Sequence, residues 1–295
     1  MEQLCLMRRV AFIINPLSGA KDKSSIVEEA VHVFEGCEIL YTEYAGHARE
    51  LSANTDADVV IAVGGDGTVN EVASGLVGTE KALGIIPCGS GDGLALHLGI
   101  SRNYHQALNQ MKNGVVRRMD CGRMNGRYFF CTSGVGFDAK VGLEFSKSKS
   151  RGLWTYVTMS ARNWFGYRPD HYKVIVDGAP AWEGEAVFIT VGNASQWGNN
   201  ARICGGASVL DGLFNITIVK PFSTMKFPPL LVRLASGKVT GSSSTICLQG
   251  RNVVIERSQA GPAHFDGEPL EEGTRLEFEL LPSSLNVLTI EKNKI

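Results

Sequence analysis

The chain has 295 residues, 44% of them hydrophobic and 20% charged, with a formal net charge of −1. That length accommodates two domains or one large one, the composition is that of a soluble globular protein, and the near-neutral balance argues against nucleic acid as a partner. The cysteines, Cys5, Cys37, Cys88, Cys121, Cys131, Cys204 and Cys247, are odd in number and lack zinc-like spacing. They read as reduced, mostly buried thiols of a cytoplasmic protein. At the start, Arg8 and Arg9 follow a short apolar patch, the wrong order for a signal peptide. No apolar run reaches the roughly 18 residues a spanning helix needs, so a membrane substrate would be met from the surface.

In chain order, residues 10–14 read as a buried strand ended by the turn Asn15-Pro16-Leu17-Ser18-Gly19. Residues 24–34 have helical spacing and 39–42 form a second strand. Residues 59–63 are apolar and β-branched, as in a parallel strand covered on both faces. They run into Gly64-Gly65-Asp66-Gly67-Thr68-Val69-Asn70, with a helix expected from Asn70. Strand, glycine turn, helix is how α/β proteins make a phosphate site, because glycines admit the anion and the helix start offers unpaired N–H groups. The Asp66 carboxylate would repel a phosphate unless a divalent cation stood between them. The other reading is a tight turn whose helix Asp66 caps.

Residues 83–87 are a fourth strand, leading through Cys88-Gly89-Ser90-Gly91-Asp92-Gly93 into a helix, and 104–113 are a helix ended by Gly114. Asn125-Gly126 marks a hairpin. From there strands dominate, which places the domain boundary near Gly122. Gly134-Val135-Gly136-Phe137-Asp138-Ala139 ends a strand and opens a helical region over 139–165, with Asp138 as a helix N-cap. Lys147, Lys149 and Arg151 stand near Trp154, Tyr156, Trp164, Phe165 and Tyr167, a pattern that suits either a membrane interface or a helix packed on its own domain. Further strands are read at 172–176, 185–193, 213–219, 245–256, 275–281 and 285–290, with one helix at 224–234. The fold class is α/β plus all-β: an N-terminal three-layer α/β nucleotide-binding domain, residues 1–122, and a C-terminal antiparallel β-sandwich domain, residues 123–283.

Seven pieces of this chain, taken together, resemble the diacylglycerol kinase and sphingosine kinase superfamily of lipid kinases. They are Asn15-Pro16-Leu17-Ser18-Gly19, Thr42 with Gly46-His47-Ala48, Gly64-Gly65-Asp66-Gly67-Thr68 with Asn70, the turn Gly89 to Ala95, Gly136-Phe137-Asp138-Ala139, Ser208 to Leu213, and His264-Phe265-Asp266-Gly267-Glu268-Pro269. They span nearly the whole chain. Neither the Rossmann glycine pattern nor a Walker loop is met. The second glycine turn looks closer to the sphingosine type and departs from both family patterns at Asp92, where Asn is usual. That extra carboxylate could bind metal, cap the helix or alter the acceptor preference.

The resemblance implies ATP as phosphoryl donor, Mg²⁺, and a membrane lipid as acceptor. It implies a nucleotide site of Asn15, Pro16, Ser18, Gly19, Thr42, Gly64, Gly65, Asp66, Gly67, Thr68, Val69, Asn70, Gly89 and Ser90. It makes Glu268 the general base, with Asp66 the alternative, and Asp138 the residue that meets the acceptor's polar head. Asp66 would organise Mg²⁺ with Asp120 nearby in the interdomain cleft, which the Asp-Gly-Glu segment also reaches. A structural magnesium would be held by Asp211 with the carbonyls of Ser208 and Leu213, although Leu210 replaces the first Asp of the family's Asp-Asp-Gly loop. The C-terminal segment 284–295 would return to the first domain. The implied setting is cytoplasmic with peripheral contact to a membrane surface, without nucleic acid, and a homodimer is among the oligomeric states left open. Two readings from other classes are an NAD kinase-like phosphotransferase with a soluble acceptor and a non-catalytic lipid-binding protein of the same fold.

Overall fold

The computed structural model describes residues 9–19, 22–147, 153–164, 166–223, 233, 239 and 242–290. In order, the first elements are β1 (Val10–Ile14), α1 (Ser24–Val33), β2 (Glu38–Tyr41), α2 (His47–Asn54), β3 (Val59–Gly64), α3 (Asp66–Leu76), β4 (Ala82–Pro87), α4 (Gly93–His97) and α5 (Tyr104–Lys112). There follow β5 (Val115–Met124), β6 (Arg127–Phe129), β7 (Thr132–Gly136), α6 (Phe137–Lys147), α7 (Leu153–Trp164), β8 (Asp170–Val176), β9 (Ala179–Ala186) and β10 (Phe188–Gly192). The last are β11 (Phe214–Val219), β12 (Thr245–Gly250), β13 (Asn252–Arg257), β14 (Gly261–Phe265), β15 (Glu268–Glu272) and β16 (Arg275–Thr289). The chain divides into two compact units, Met1–Asp120 with Pro282–Ile295, and Cys121–Leu281.

The first unit is α/β. Its strands run parallel in the order β2-β1-β3-β4, and β16 joins β4 at Asn286 and Val287. Helix α2 packs on α3 and α1 on α5, so both pairs cover sheet residues that have no polar side. All six residues of β3 are buried. Each of its Val and Ile side chains contributes about 1.5–3 kcal/mol by leaving water.

The second unit is a sandwich. One sheet has the order β12-β11-β10-β7-β14-β15, and it faces strands β16-β13-β8-β9 across a shared core. Val135, Ile189, Phe214 and Ala263 enter that core from one side and Val174, Ile255 and Phe278 from the other. A second apolar cluster lies beyond the first sheet, where Phe137 and Val141 of α6 meet Phe188, Ile203 and Val219. Three hairpins turn at Asn125-Gly126, Asp177-Gly178 and Asp266-Gly267, each with both residues at positive φ, as a two-residue turn between twisted strands requires.

Several elements differ from the sequence reading. Helix α3 opens at Asp66, four residues earlier than expected, because Gly65 is its N-cap and Val69 N–H already bonds to Gly65 O at 3.0 Å. Asp66 is therefore inside the first turn and is not a cap. Phe137 likewise opens α6, which puts Asp138 within the helix and not at its N-cap. The helical region over 139–165 is two helices, α6 and α7. The single strand read over 185–193 breaks at Val187, with β9 in one sheet and β10 in the other. The stretch 245–256 breaks in the same way at Arg251, so both runs turn a sandwich corner. The last two strands are one, β16, with Pro282 between its two pairing segments, where no ladder N–H is needed.

The helix expected over 224–234 falls outside the described residues except at Arg233. Lys149, Arg151, Phe165 and Cys5 also lie outside them, as do the side chains of Lys147, Trp154 and Tyr156. Trp164 and Tyr167 are edge-on to Phe137 at 5.4 and 5.0 Å, packed on their own unit. The six described cysteines are thiols; Cys121, Cys131 and Cys204 are buried and Cys247 is exposed. Burial pushes the Cys204 thiol up to about 12.

Candidate active site

Three turns at the carboxyl ends of parallel strands β1, β3 and β4 meet in the first unit, as an α/β sheet arranges them. The first is tied to the central turn through Asn15, whose N–H donates to Val63 O (3.2 Å) and whose Nδ2 donates to Thr68 Oγ1 (3.1 Å). Asn15 Oδ1 closes its own turn on Leu17 N–H, and Ser18 donates to Asn15 O. The Lys23 ammonium, buried, donates to the carbonyls of Pro16 and Ser18. Gly19 abuts Cys88: a Cβ there would lie 2.1 Å from Cys88 O.

The central and second glycine turns interlock. Asp66 accepts the N–H of Asp92 at Oδ2 (2.9 Å) and that of Gly93 at Oδ1 (2.7 Å). A Cβ on Gly65 would sit 3.2 Å from Gly89 Cα, and one on Gly89 only 2.7 Å from Gly65 Cα. Gly64 is held as tightly, its missing Cβ position 2.5 Å from the Thr68 side chain. Thr68, Val69 and Asn70 are buried at the start of α3, while Ser90 is exposed. Asp120, 2% exposed, accepts Ser283 N–H at 2.7 Å.

Thr42 follows β2 and donates its N–H to Ile14 O. The Gly46-His47-Ala48 turn is held by Glu71 of α3, whose two oxygens accept Gly46 N–H (2.8 Å) and Ala48 N–H (3.2 Å). An internal carboxylate thus occupies the start of α2, where the unpaired amides favour negative charge.

In the second unit, Asp138 and His264 form a buried hydrogen-bonded pair, each 6% exposed, with Nε2 3.0 Å from Asp138 Oδ2. Among the described residues the other ring nitrogen, Nδ1, has no hydrogen-bond partner. Gly136, at φ 109°, makes the turn into α6; a Cβ there would lie 2.5 Å from Val187 O. Glu268 is exposed at the start of β15. Its hairpin is anchored by Asp266, which accepts the N–H groups of Phe130, Cys131 and Thr132. Asp211, also exposed, accepts Leu213 N–H at 3.1 Å, and Ser208 Oγ accepts Leu210 N–H at 3.2 Å, the geometry of an Asp-Gly turn.

The structure therefore brings Asn15, Pro16, Ser18, Gly19, Gly64, Gly65, Asp66, Thr68 and Gly89 into one network. It sets Asp138 against His264 of the β14–β15 hairpin that also carries Glu268, and keeps the loop of Ser208, Asp211 and Leu213 apart from them. Lys23, Glu71, Arg102 and His264 are contributors the sequence reading did not single out. Each is one charged or titratable residue whose partner is a backbone group or side chain five or more residues away, which no spacing rule marks. Each Asp66 oxygen accepts one backbone N–H and has two lone pairs, so this carboxylate can serve a hard cation such as Mg²⁺, which keeps several waters and uses one or two carboxylates with substrate phosphates. Among the described residues no group of three or more His, Cys, Asp or Glu forms a cage. A magnesium that arrives with a nucleotide fits this donor set better than a resident one. No helix among the described residues is long and apolar enough to cross a membrane.

Comparison with known proteins gives the family and the fold. Residues 9–124 match the diacylglycerol kinase catalytic domain, and residues 132–289 match the YegS C-terminal NAD kinase beta sandwich-like domain. The diacylglycerol kinase of Bacillus subtilis is 29% identical over 274 residues, 89% of this chain and 90% of that protein. A protein of Escherichia coli named "Probable lipid kinase YegS" is 28% identical over 254 residues, 82% of this chain and 80% of its own. Among solved structures, a diacylglycerol kinase from Bacillus anthracis str. Sterne aligns with a TM-score of 0.76 at 22% identity, over 96% of this chain and 97% of that one. An NAD kinase from Archaeoglobus fulgidus in complex with ATP gives 0.55 at 14% identity, over 97% and 94%. These two likenesses concern the fold alone.

Proposed function

The chain belongs to the lipid kinase family that joins a diacylglycerol kinase catalytic domain to a YegS-type C-terminal domain, and from that premise we propose that it transfers the γ-phosphoryl of ATP to a hydroxyl of a membrane lipid, either diacylglycerol or a sphingoid long-chain base. The observation that carries this reading is the interlock of the two glycine turns through Asp66, Asp92 and Gly93, with Asn15 and Gly19 closing the third side. Such a cradle lets backbone N–H groups approach phosphates without side chains between them.

In this reading Thr68, Asn70 and Ser90 hydrogen-bond the phosphates or metal-bound water, and Asn15 and Thr42 line the nucleotide's other side. Asp66, with Asp120, would hold the magnesium that accompanies ATP. That ion, when bound, neutralises charge on the transferring group. Asp138 receives the acceptor's polar head and Glu268 takes the proton of its hydroxyl. A lipid alcohol is a poor nucleophile, so alignment and a base at the moment of transfer matter more than prior ionisation. Docking from the membrane surface would supply the acceptor.

Radiolabelled ATP offered against diacylglycerol, monoacylglycerol, a sphingoid base and ceramide in mixed micelles, with the product identified by mass, tests the proposal. A labelled lipid supports it. Label in NAD but in no lipid would favour the soluble-acceptor reading, and no turnover with any acceptor would favour a non-catalytic lipid binder.

A further inference from the structure

The second glycine turn departs from its family's pattern at Asp92, and the surroundings of that residue give the departure a role. Asp92 stands in the left-handed region at φ 52° and is 4% exposed. Its Oδ1 accepts Gly89 N–H at 2.9 Å, and its Oδ2 lies 3.2 Å from Arg102 Nε. Arg102 Nη2 also donates to Ser90 O (3.3 Å) and Gly91 O (2.7 Å). One guanidinium thus gathers a carboxylate and two carbonyls of the same turn, a use of its planar fork that lysine cannot copy. Both carboxylate oxygens of Asp92 are directed at protein donors, and its backbone N–H is given to Asp66. Those bonds hold the Asp92 carboxylate within its own turn. Burial raises its carboxyl pKa, and Gly89 N–H and Arg102 oppose that rise.

We propose that Arg102 is a positioning residue for the nucleotide: acting through Asp92, it sets the path of residues 89–92 so that the turn meets the phosphates already ordered. The inference rests on the lipid kinase reading. An Asn at position 92 can still accept Gly89 N–H but leaves the guanidinium without its countercharge, so Asp92 and Arg102 act as a matched pair. The link to the centre of the site is direct, since a Cβ on Gly89 would touch both Asp92 Oδ1 (2.8 Å) and Gly65 Cα. A turn that must order on binding weakens affinity without changing the transfer step once bound.

The test is calorimetric titration of the full chain with ADP and Mg²⁺, paired with steady-state kinetics on dioleoylglycerol micelles. Arg102→Ala is expected to weaken ADP binding about tenfold and raise KM for ATP by a similar factor, with kcat within about twofold. Arg102→Lys recovers part of the loss, and Asp92→Asn, the variant least disturbing to the fold, reproduces most of it. The double variant Asp92→Asn with Arg102→Ala binds no more weakly than the worse single one, because the two act as a unit. Binding by Arg102→Ala within twofold of the parent, additive losses in the double variant, or a parallel fall in kcat would overturn the inference and leave the kinase reading standing. Failure of the parent chain itself to bind ADP would overturn both.

Discussion

The two units place their candidate residues in opposite ways. In the first, segments 15–19, 64–70 and 88–93 are far apart in sequence, yet their atoms are in hydrogen-bond or van der Waals contact. In the second, Asp138 is paired with His264 of the hairpin that carries Glu268, that hairpin hangs on Asp266, and Asp211 closes its own turn. The difference follows from sheet type. Parallel strands all end on one edge, so short motifs at their ends converge without further instruction. Antiparallel strands put turns at both ends of the sheet, and each turn then depends on whichever long-range partner holds it.

Breaking the convergence should have the largest effect. Asp66→Ala removes the acceptor of two second-turn amides and the anchor for magnesium. Lipid phosphorylation is expected to fall by about a thousandfold or more, with the circular dichroism spectrum unchanged. Near-normal turnover would show that the interlock is only structural. The corresponding break in the second unit costs stability instead. His264→Ala removes the side-chain partner of the buried Asp138 carboxylate, which should destabilise that unit by about 1–3 kcal/mol in denaturant titration while nucleotide affinity stays unchanged. Gly89→Ala sharpens the contrast on the other side: its Cβ would crowd Gly65, for about 1–3 kcal/mol of strain read as weaker ADP binding. The smallest effect serves as a control. Asn103 caps α5 by accepting Gln106 N–H, so Asn103→Ala should cost about 1 kcal/mol of stability and leave nucleotide binding as it is.

The same contrast governs what the residues alone reveal. The β-branched runs of β1, β3 and β4 and the Asn-Gly and Asp-Gly hairpins are local signals, and they place strands and turns without knowledge of their neighbours. The start of α3 is less legible, because Gly65 and Gly67 look like breakers while Gly65 serves as the N-cap. The corners at Val187 and Arg251 leave no mark in periodicity, since each run stays strand-like while it passes from one sheet to the other. At the site, the glycine turns can be read directly. The charged residues that hold them, Lys23, Glu71 and Arg102, bond mainly to backbone carbonyls and amides of other segments, and such partners carry no residue-type code. Asp92 shows the limit most clearly: its oddity is visible in the sequence, but its use depends on Arg102 ten residues on.

The account stands on the nucleotide's phosphates resting where β1, β3 and β4 end. A crystal structure of the full chain grown with ADP and Mg²⁺ measures that directly. It should show the phosphates against residues 64–70 and the Gly89-Ser90 turn, with the metal facing Asp66. Nucleotide bound elsewhere, with those turns bare, would contradict it.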